Sequence, residues 1–123
     1  MDQRFRWNER LHRQRDFTQV IQRGRRYGAS GLILWVARAP DGTTPPRLGL
    51  AIPKAYGNAV QRNRLKRVLR EIFRLNKVNL PAGADLVFSA RRMSVDISYR
   101  TVEPIVFDLW TKAHLLPPRS TGS

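Results

Sequence analysis

The sequence predicts a single-domain α+β protein in which three helices pack with a small sheet. Three stretches carry apolar residues at helical spacing, and three others show the apolar, extended pattern of strands. A length of 123 residues with 41% hydrophobic residues suits one domain with one packed core. We expect a flexible basic N-terminus over residues 1–9, the folded domain over 10–116 and a disordered tail over 117–123.

The first predicted helix covers residues 12–23. Gly24 stands where a glycine commonly ends a helix. The apolar residues with helical spacing are Leu11, Phe17, Val20 and Ile21. Periodicity alone favours a place in the core for the stripe formed by Phe17 and Ile21. A short extended piece near Tyr27 follows.

Two longer strands are predicted over residues 31–38 and 47–54, with a loop rich in proline between them. Both faces of the first strand are apolar, with Trp35 on one of them, which indicates that both faces are covered. The second strand has one nearly bare face, formed by Gly49 and Ala51. Such a face lets a packed helix or an extended ligand approach closely.

A turn at Gly57 and Asn58 leads into an amphipathic helix over residues 59–77, with Asn58 as its expected N-cap. The helix contains seven Lys or Arg residues and one acid, Glu71. On a helical wheel an arc of roughly 140° contains Arg62, Asn63, Lys66, Arg67, Arg70, Arg74 and Lys77. The opposite arc contains Leu65, Val68, Leu69, Ile72 and Leu75. One face therefore suits a core and the other suits an anion.

The basic arc has two interpretations. Most basic helix faces are simply solvated, and they usually carry acidic partners. Here the single acid, Glu71, is expected outside the arc. Like charges three and four positions apart repel one another, and a polyanionic partner would relieve that repulsion. The pattern favours a polyanion over plain solvation.

The C-terminal part of the domain is predicted to form a strand over residues 84–90 and a helix over 101–115. Proline is tolerated only in the first turn of a helix. We therefore start the last helix near Thr101, which places Pro104 in its first turn.

The formal net charge of +14 indicates a nucleic acid or an anionic membrane surface as the partner. No apolar run approaches the ~20 residues that span a bilayer, and the N-terminus lacks the apolar core of a signal peptide. The absence of cysteine excludes disulfides, a thiolate nucleophile and cysteine-based zinc sites. We expect a cytoplasmic nucleic-acid-binding protein.

No catalytic residue and no metal site are predicted in the protein itself. His12 and His114 lie far apart in the sequence, and the nine carboxylates are scattered without a pair suited to a two-metal site. No Ser-His-Asp arrangement and no glycine-rich phosphate loop are indicated.

Several blocks of residues stand in a distinctive order. They are Asp16-Phe17, Arg47-Leu48-Gly49-Leu50, Lys54, Gly57-Asn58-Ala59-Val60 and Arg62-Asn63-Arg64-Leu65-Lys66-Arg67-Val68-Leu69-Arg70. Together they resemble the protein component of bacterial ribonuclease P, over roughly residues 10–115. The Arg-Asn-Arg block is specific in this context because Lys-Arg and a further Arg follow it.

The resemblance implies a fold with the element order αβββαβα and a small mixed sheet of about four strands packed with three helices. It also implies a left-handed crossover that contains the Arg-Asn-Arg helix, against the right-handed rule for such connections. The implied activity is endonucleolytic removal of the 5′ leader from precursor tRNA. A catalytic RNA subunit would perform the hydrolysis with Mg²⁺, so that no metal is expected on the protein.

The resemblance also implies two binding sites. The residues expected to contact the catalytic RNA are Arg62, Asn63, Arg64, Lys66, Arg67 and Arg70. Those expected in a cleft for the leader are Phe17, Ile21, Trp35 and Lys54. It therefore replaces the core interpretation of Phe17 and Ile21 with a binding role, and it gives the bare strand face a role as cleft floor. No membrane and no obligate protein partner are implied.

The sequence departs from the family pattern near the turn. The family commonly has Ser-Lys-Lys where this chain has Pro53-Lys54-Ala55, and many members have an aromatic residue where Ile21 stands. Tyr56 is larger than the aliphatic residue that is common there. These differences leave the basic helix intact.

Two alternatives to this assignment come from other classes. One is a ribosomal or other structural RNA-binding protein without an enzymatic role. The other is a DNA-binding regulator that reads the major groove with residues 59–77. The second is the weaker, because a recognition helix should closely follow another helix, whereas a strand precedes this one.

Overall fold

The computed structural model describes residues 14–38, 42, 44–93 and 95–116. The α-helices of these residues are α1 (Gln14–Arg23), α2 (Ala59–Asn76) and α3 (Tyr99–Lys112). The strands are β1 (Arg25–Ala29), β2 (Leu32–Arg38), β3 (Arg47–Leu50) and β4 (Ala84–Ala90). Short 3-10 turns lie at Lys54–Tyr56 and Lys77–Asn79. The order αβββαβα is confirmed, whereas the predicted terminal segments lie outside the described residues.

The four strands form one mixed sheet in the order β1-β2-β4-β3. β2 pairs antiparallel with both β1 and β4, and β3 pairs parallel with β4. Parallel neighbours need a crossover connection, and α2 lies in that connection. The mixed sheet is therefore confirmed, and the left-handedness of the crossover stays a prediction.

The predicted strand over residues 47–54 is too long, because β3 ends at Leu50. The amide of Ala51 still donates to the carbonyl of Phe88 on β4, at 2.8 Å. Pro53 has no N–H group to extend the ladder, and the chain turns into a 3-10 turn at Lys54. The chain therefore leaves the sheet before it reaches α2.

The predicted start of α3 is also wrong. Ser98 is the N-cap, and it forms a reciprocal capping box with Thr101, so the helix begins at Tyr99. Pro104 consequently lies in the second turn and not in the first. Its ring is exposed, and it has no N–H group to donate to the carbonyl of Arg100. The strength of this cap outweighs the preference of proline for the first turn.

The main core lies between one face of the sheet and the helices α2 and α3. The sheet contributes mainly Leu32, Leu34, Leu48, Leu86 and Phe88. The helices contribute mainly Leu65, Leu69, Ile72, Phe73, Val102, Val106, Leu109 and Trp110. None of the helices among the described residues is long and apolar enough to cross a membrane.

Among the described residues, the opposite face of the sheet is covered only in part, by the short helix α1. Val20 of α1 packs with Ala37 of β2 and Val87 of β4 in a second, smaller cluster. Phe17 and Trp35 pack against this cluster but are only half-buried. The two faces of the sheet therefore differ, with a closed core on one and a partly open surface on the other.

Candidate nucleic-acid interface

The start of α2 is fixed by a capping box, which confirms Asn58 as the N-cap. The side chain of Asn58 accepts from the amide of Gln61 at 2.8 Å, and the side chain of Gln61 accepts from the amide of Asn58 at 2.9 Å. Gly57 makes this arrangement possible, because a Cβ atom there would lie 2.3 Å from Oε1 of Gln61. The cap sets the residue at which the basic helix begins.

The apolar face of α2 is rotated from the predicted one. Leu65, Leu69 and Ile72 are buried as expected, but Leu75 is 36% exposed and Phe73 is fully buried inside the predicted basic arc. Phe73 buries a larger apolar surface than Leu75 would, so the packing of α2 follows the aromatic ring. The prediction that Leu75 faces the core is therefore wrong.

The rotation redistributes the basic side chains over the helix surface. The exposed polar face contains Asn63, Arg64, Arg67 and Arg70. Arg62 and Lys66 are half-buried beside it. Lys77, predicted in the basic arc, is buried in the 3-10 turn after α2. We call the six residues Arg62, Asn63, Arg64, Lys66, Arg67 and Arg70 the α2 basic surface.

Arg74 belongs to the predicted arc but is paired with the acid of the helix. Its Nε atom donates to Oε2 of Glu71 at 3.1 Å, and its Nη2 atom donates to Oε1 at 2.5 Å. The hydrogen bond from Arg74 lowers the pKa of Glu71 and raises that of Arg74. Because this pair is locally neutral, the positive charge of the helix is concentrated on the α2 basic surface.

The leader cleft is predicted between α1 and the partly covered face of the sheet. The strand register aligns Trp35 of β2, Val87 of β4 and Gly49 of β3 in one row across the sheet. Gly49 is buried and has no side chain. The side chains of the row therefore decrease in size from the half-buried indole of Trp35 to the bare backbone of Gly49. Phe17 and Ala51 pack against the same cluster. The structure thus brings Phe17, Trp35 and the predicted cleft floor together.

The other predicted cleft residues lie at the surface. Ile21, one turn after Phe17 on α1, is 40% exposed, so the core interpretation of this stripe is wrong for Ile21. Lys54 is exposed on the 3-10 turn between β3 and α2. No described contact joins Lys54 to Phe17 or Trp35.

Sequence reasoning missed one basic residue on the cleft face. Arg26 of β1 is directly opposite Trp35 in the antiparallel register, so its side chain shares the face of the indole. It is exposed. Arg26 could have been found from the short extended piece near Tyr27. Pairing this piece with β2 would have placed Arg26 beside Trp35.

The described residues contain no group of three or more His, Asp or Glu side chains that could hold a metal ion. His114 is exposed just after α3, and His12 lies outside the described residues. The arrangement offers positive charge on α2 and partly exposed aromatic surface beside α1.

The fold and these surfaces define the chain as an α+β protein with one strongly basic helix surface, which suits a polyanion. The family model described as Ribonuclease P matches residues 5–114, which is most of the chain. The chain therefore belongs to the ribonuclease P protein family, and the resemblance noted in the sequence is confirmed.

Named relatives and solved structures agree with this membership. The ribonuclease P protein component of Clostridium novyi (strain NT) is 38% identical over 108 residues, covering 88% of this chain and 96% of the relative. That of Finegoldia magna is 38% identical over 104 residues, covering 85% and 89%. The RNase P protein from Thermotoga maritima has a TM-score of 0.72 at 30% identity, covering 85% and 96%. The Staphylococcus aureus RNase P protein, at 24% identity and covering 88% and 97%, shows the same fold with a TM-score of 0.78.

Proposed function

We propose that this chain is the protein subunit of ribonuclease P, the ribonucleoprotein that removes the 5′ leader of precursor tRNA. Its α2 basic surface binds the catalytic RNA, and the cleft beside α1 holds the leader. The observation that supports this most strongly is the concentration of exposed and half-buried Arg and Lys side chains on one capped helix in a chain of this family.

The α2 basic surface acts through phosphate contacts. Its Arg and Lys side chains neutralise crowded phosphates and release counterions, so that affinity falls steeply as the salt concentration rises. Arg64, Arg67 and Arg70 are exposed and can form bidentate contacts with phosphate oxygens that lysine cannot make. Asn63 stands among them and can donate or accept hydrogen bonds.

The cleft binds single-stranded RNA by stacking. Phe17 and Trp35 are half-buried, so each ring is anchored by packing and still presents part of its surface. Stacking on such rings contributes about 1–3 kcal/mol per base with little sequence preference. Ile21 adds apolar contact, and Lys54 adds a positive charge near the leader backbone. Low sequence preference suits a protein that serves many precursor tRNAs.

The chemistry of hydrolysis belongs to the RNA subunit in this proposal. Mg²⁺ is bound by the RNA and not by the protein. The RNA subunit and precursor tRNA are the partners, and the complex works in the cytoplasm. No obligate protein partner is needed.

Reconstitution tests the proposal directly. The full chain is mixed with a bacterial ribonuclease P RNA and a precursor tRNA at low Mg²⁺ concentration, and the rate of leader cleavage is compared with that of the RNA alone. We expect the protein to accelerate cleavage, because it neutralises RNA phosphates that Mg²⁺ would otherwise have to screen. Equal rates with and without the protein would favour the alternative of a structural RNA-binding protein.

A further inference from the structure

A pocket beside the α2 basic surface has no role in the proposed function. It has a volume of about 340 Å³ and lies between the N-terminal half of α2 and the loop that joins β4 to α3. From the side of α2 it is lined by Gln61 and Arg64, and the neighbouring turn contributes Tyr56. The loop contributes Arg92, Met93 and Asp96, among others. Arg64 therefore belongs both to this pocket and to the α2 basic surface.

The walls of the pocket are held in place by contacts outside it. The hydroxyl of Thr101, itself part of the α3 capping box, donates to the backbone carbonyl of Asp96. On the other side, Gly31 has a φ of 91°, and a Cβ atom there would lie 2.8 Å from the carbonyl oxygen of Arg92 and 3.2 Å from Cγ of Met93. Only glycine permits this close approach, so the β1–β2 turn supports the loop directly behind Met93.

The lining groups match the parts of a nucleotide. Arg64 and Arg92 supply two guanidinium groups for a phosphate. Met93 and the ring of Tyr56 offer a polarisable and an aromatic surface for the plane of a base. Gln61 uses Oε1 in the α2 cap, which leaves its amide N–H groups to donate. The hydroxyl of Tyr56 is a neutral hydrogen-bond donor at neutral pH, since the ordinary pKa of tyrosine is 10.0 and burial raises it further.

Asp96 gives the pocket a preference among bases. An ionised carboxylate only accepts hydrogen bonds. Guanine, cytosine and adenine present an exocyclic amine, whereas the pairing edge of uracil has one N–H group between two carbonyl oxygens that would repel the carboxylate. A carboxylate among arginines is unfavourable for phosphate binding alone, but it suits a base with an amine.

We propose that this pocket binds one unstacked nucleotide of the RNA subunit, with preference for a base that carries an exocyclic amine. The inference rests on the proposed function only in its choice of the RNA subunit as the source. Continuity with the α2 basic surface through Arg64 favours that source over the leader, whose cleft lies on the opposite face of the sheet.

The chain offers a clean probe for nucleotide binding. It has two methionines, Met1 and Met93, so the full protein labelled with ¹³C at the methionine methyl groups gives two signals. We expect the Met93 signal to shift on titration with GMP and CMP at concentrations at least about fivefold below those needed with UMP. Absence of a shift with every nucleotide, equal responses to GMP and UMP, or an equal response to inorganic phosphate would each overturn the proposal.

Asp96→Asn separates recognition from simple electrostatics, and Asp108→Asn is its matched control. Asp108 is exposed on α3, where it pairs with Lys112, and its substitution changes the net charge equally. If Asp96 only repelled phosphate, Asp96→Asn would tighten binding to the RNA subunit. We expect instead several-fold weaker binding and loss of the preference against UMP, with neither effect in Asp108→Asn. Tighter or unchanged binding by Asp96→Asn would overturn the assignment.

One further comparison locates the source of the nucleotide. Asp96→Asn should leave unchanged the extra affinity that a leader gives to precursor tRNA over mature tRNA. A loss confined to that extra affinity would assign the pocket to the leader and overturn our choice of the RNA subunit.

The outcomes also separate this inference from the proposed function. Failure of the nucleotide titration with normal acceleration of cleavage by the wild-type protein would refute only this inference. A Met93 shift without such acceleration would refute only the proposed function.

Discussion

Arg47 and Asp85 face each other across the parallel strands β3 and β4, and the guanidinium group holds the carboxylate through two hydrogen bonds of 2.8 Å. Asp85 is only 1% exposed, whereas one third of the Arg47 side chain reaches solvent. The pair ties the edge strand β3 to the centre of the sheet. It therefore stabilises the strand from which Gly49 contributes to the predicted cleft floor.

This asymmetry in exposure predicts unequal effects of removing each partner. Arg47→Ala leaves a buried carboxylate without its cation and should lower the free energy of unfolding by about 3–5 kcal/mol. Asp85→Asn should cost less, about 1–3 kcal/mol, because Arg47 can turn to water. Urea denaturation followed by circular dichroism measures both.

Asp108→Asn, in an exposed pair with Lys112, is the control and should change stability by less than about 1 kcal/mol. Equal small effects at all three positions would contradict the structural role of the pair.

The pair of Glu71 and Arg74 predicts a pH dependence of stability. The pKa of Glu71 is lowered in the folded state from its ordinary value of 4.5, mainly by the hydrogen bond from Arg74. The carboxylate therefore contributes stability that is present above about pH 4.5 and is lost as the pH falls through the folded-state pKa. Glu71→Gln should be less stable than the wild type at pH 7, and the difference should vanish in acid. Unfolding midpoints measured between pH 7 and pH 2.5 test this, and a difference that grows on acidification would contradict it.

The cleft predicts a loss specific to the leader when the aromatic ring of Phe17 is removed. Phe17→Leu keeps an apolar side chain against Val20 and Ala37 but removes the stacking surface. Affinity of the holoenzyme for precursor tRNA should fall by about 1 kcal/mol or more, while affinity for mature tRNA should stay constant. Val78→Ala, which shortens an exposed side chain far along the chain from α1, serves as the control. Equal losses for precursor and mature tRNA would count against leader binding in this cleft.

Much of the architecture was predictable because it depends on local signals. Asn58 caps α2 as predicted, since an N-cap is a matter of a few consecutive residues. β4 has the predicted bounds because a glycine turn at Gly83 precedes its apolar run and two arginines follow it. The start of α3 was missed because the prediction placed Pro104 in the first turn. The capping box between Ser98 and Thr101 starts the helix earlier and puts Pro104 in the second turn.

The parts that were not predictable depend on how elements meet. A helical wheel placed Phe73 on the basic side, and only packing against the rest of the core selects it over Leu75. Arg47 and Asp85 pair because a crossover brings two distant strands into parallel register. The periodicity of one sequence does not indicate which strands will be neighbours. The pocket at Asp96 likewise depends on a loop whose path is set by Gly31 and Thr101.

The α2 basic surface is proposed to dock on the catalytic RNA, and the salt dependence of that binding is the sharpest test. The variant Arg67→Ala/Arg70→Ala removes two exposed charges from α2, and Arg38→Ala/Arg100→Ala removes two exposed charges elsewhere. Affinity of each protein for ribonuclease P RNA is measured over a range of monovalent salt concentrations. We predict that the α2 variant binds more weakly, with a slope of log affinity against log salt that is shallower by about 1.5, while the control keeps the wild-type slope. Equal slopes for the two double variants would mean that α2 is not the docking surface for the RNA.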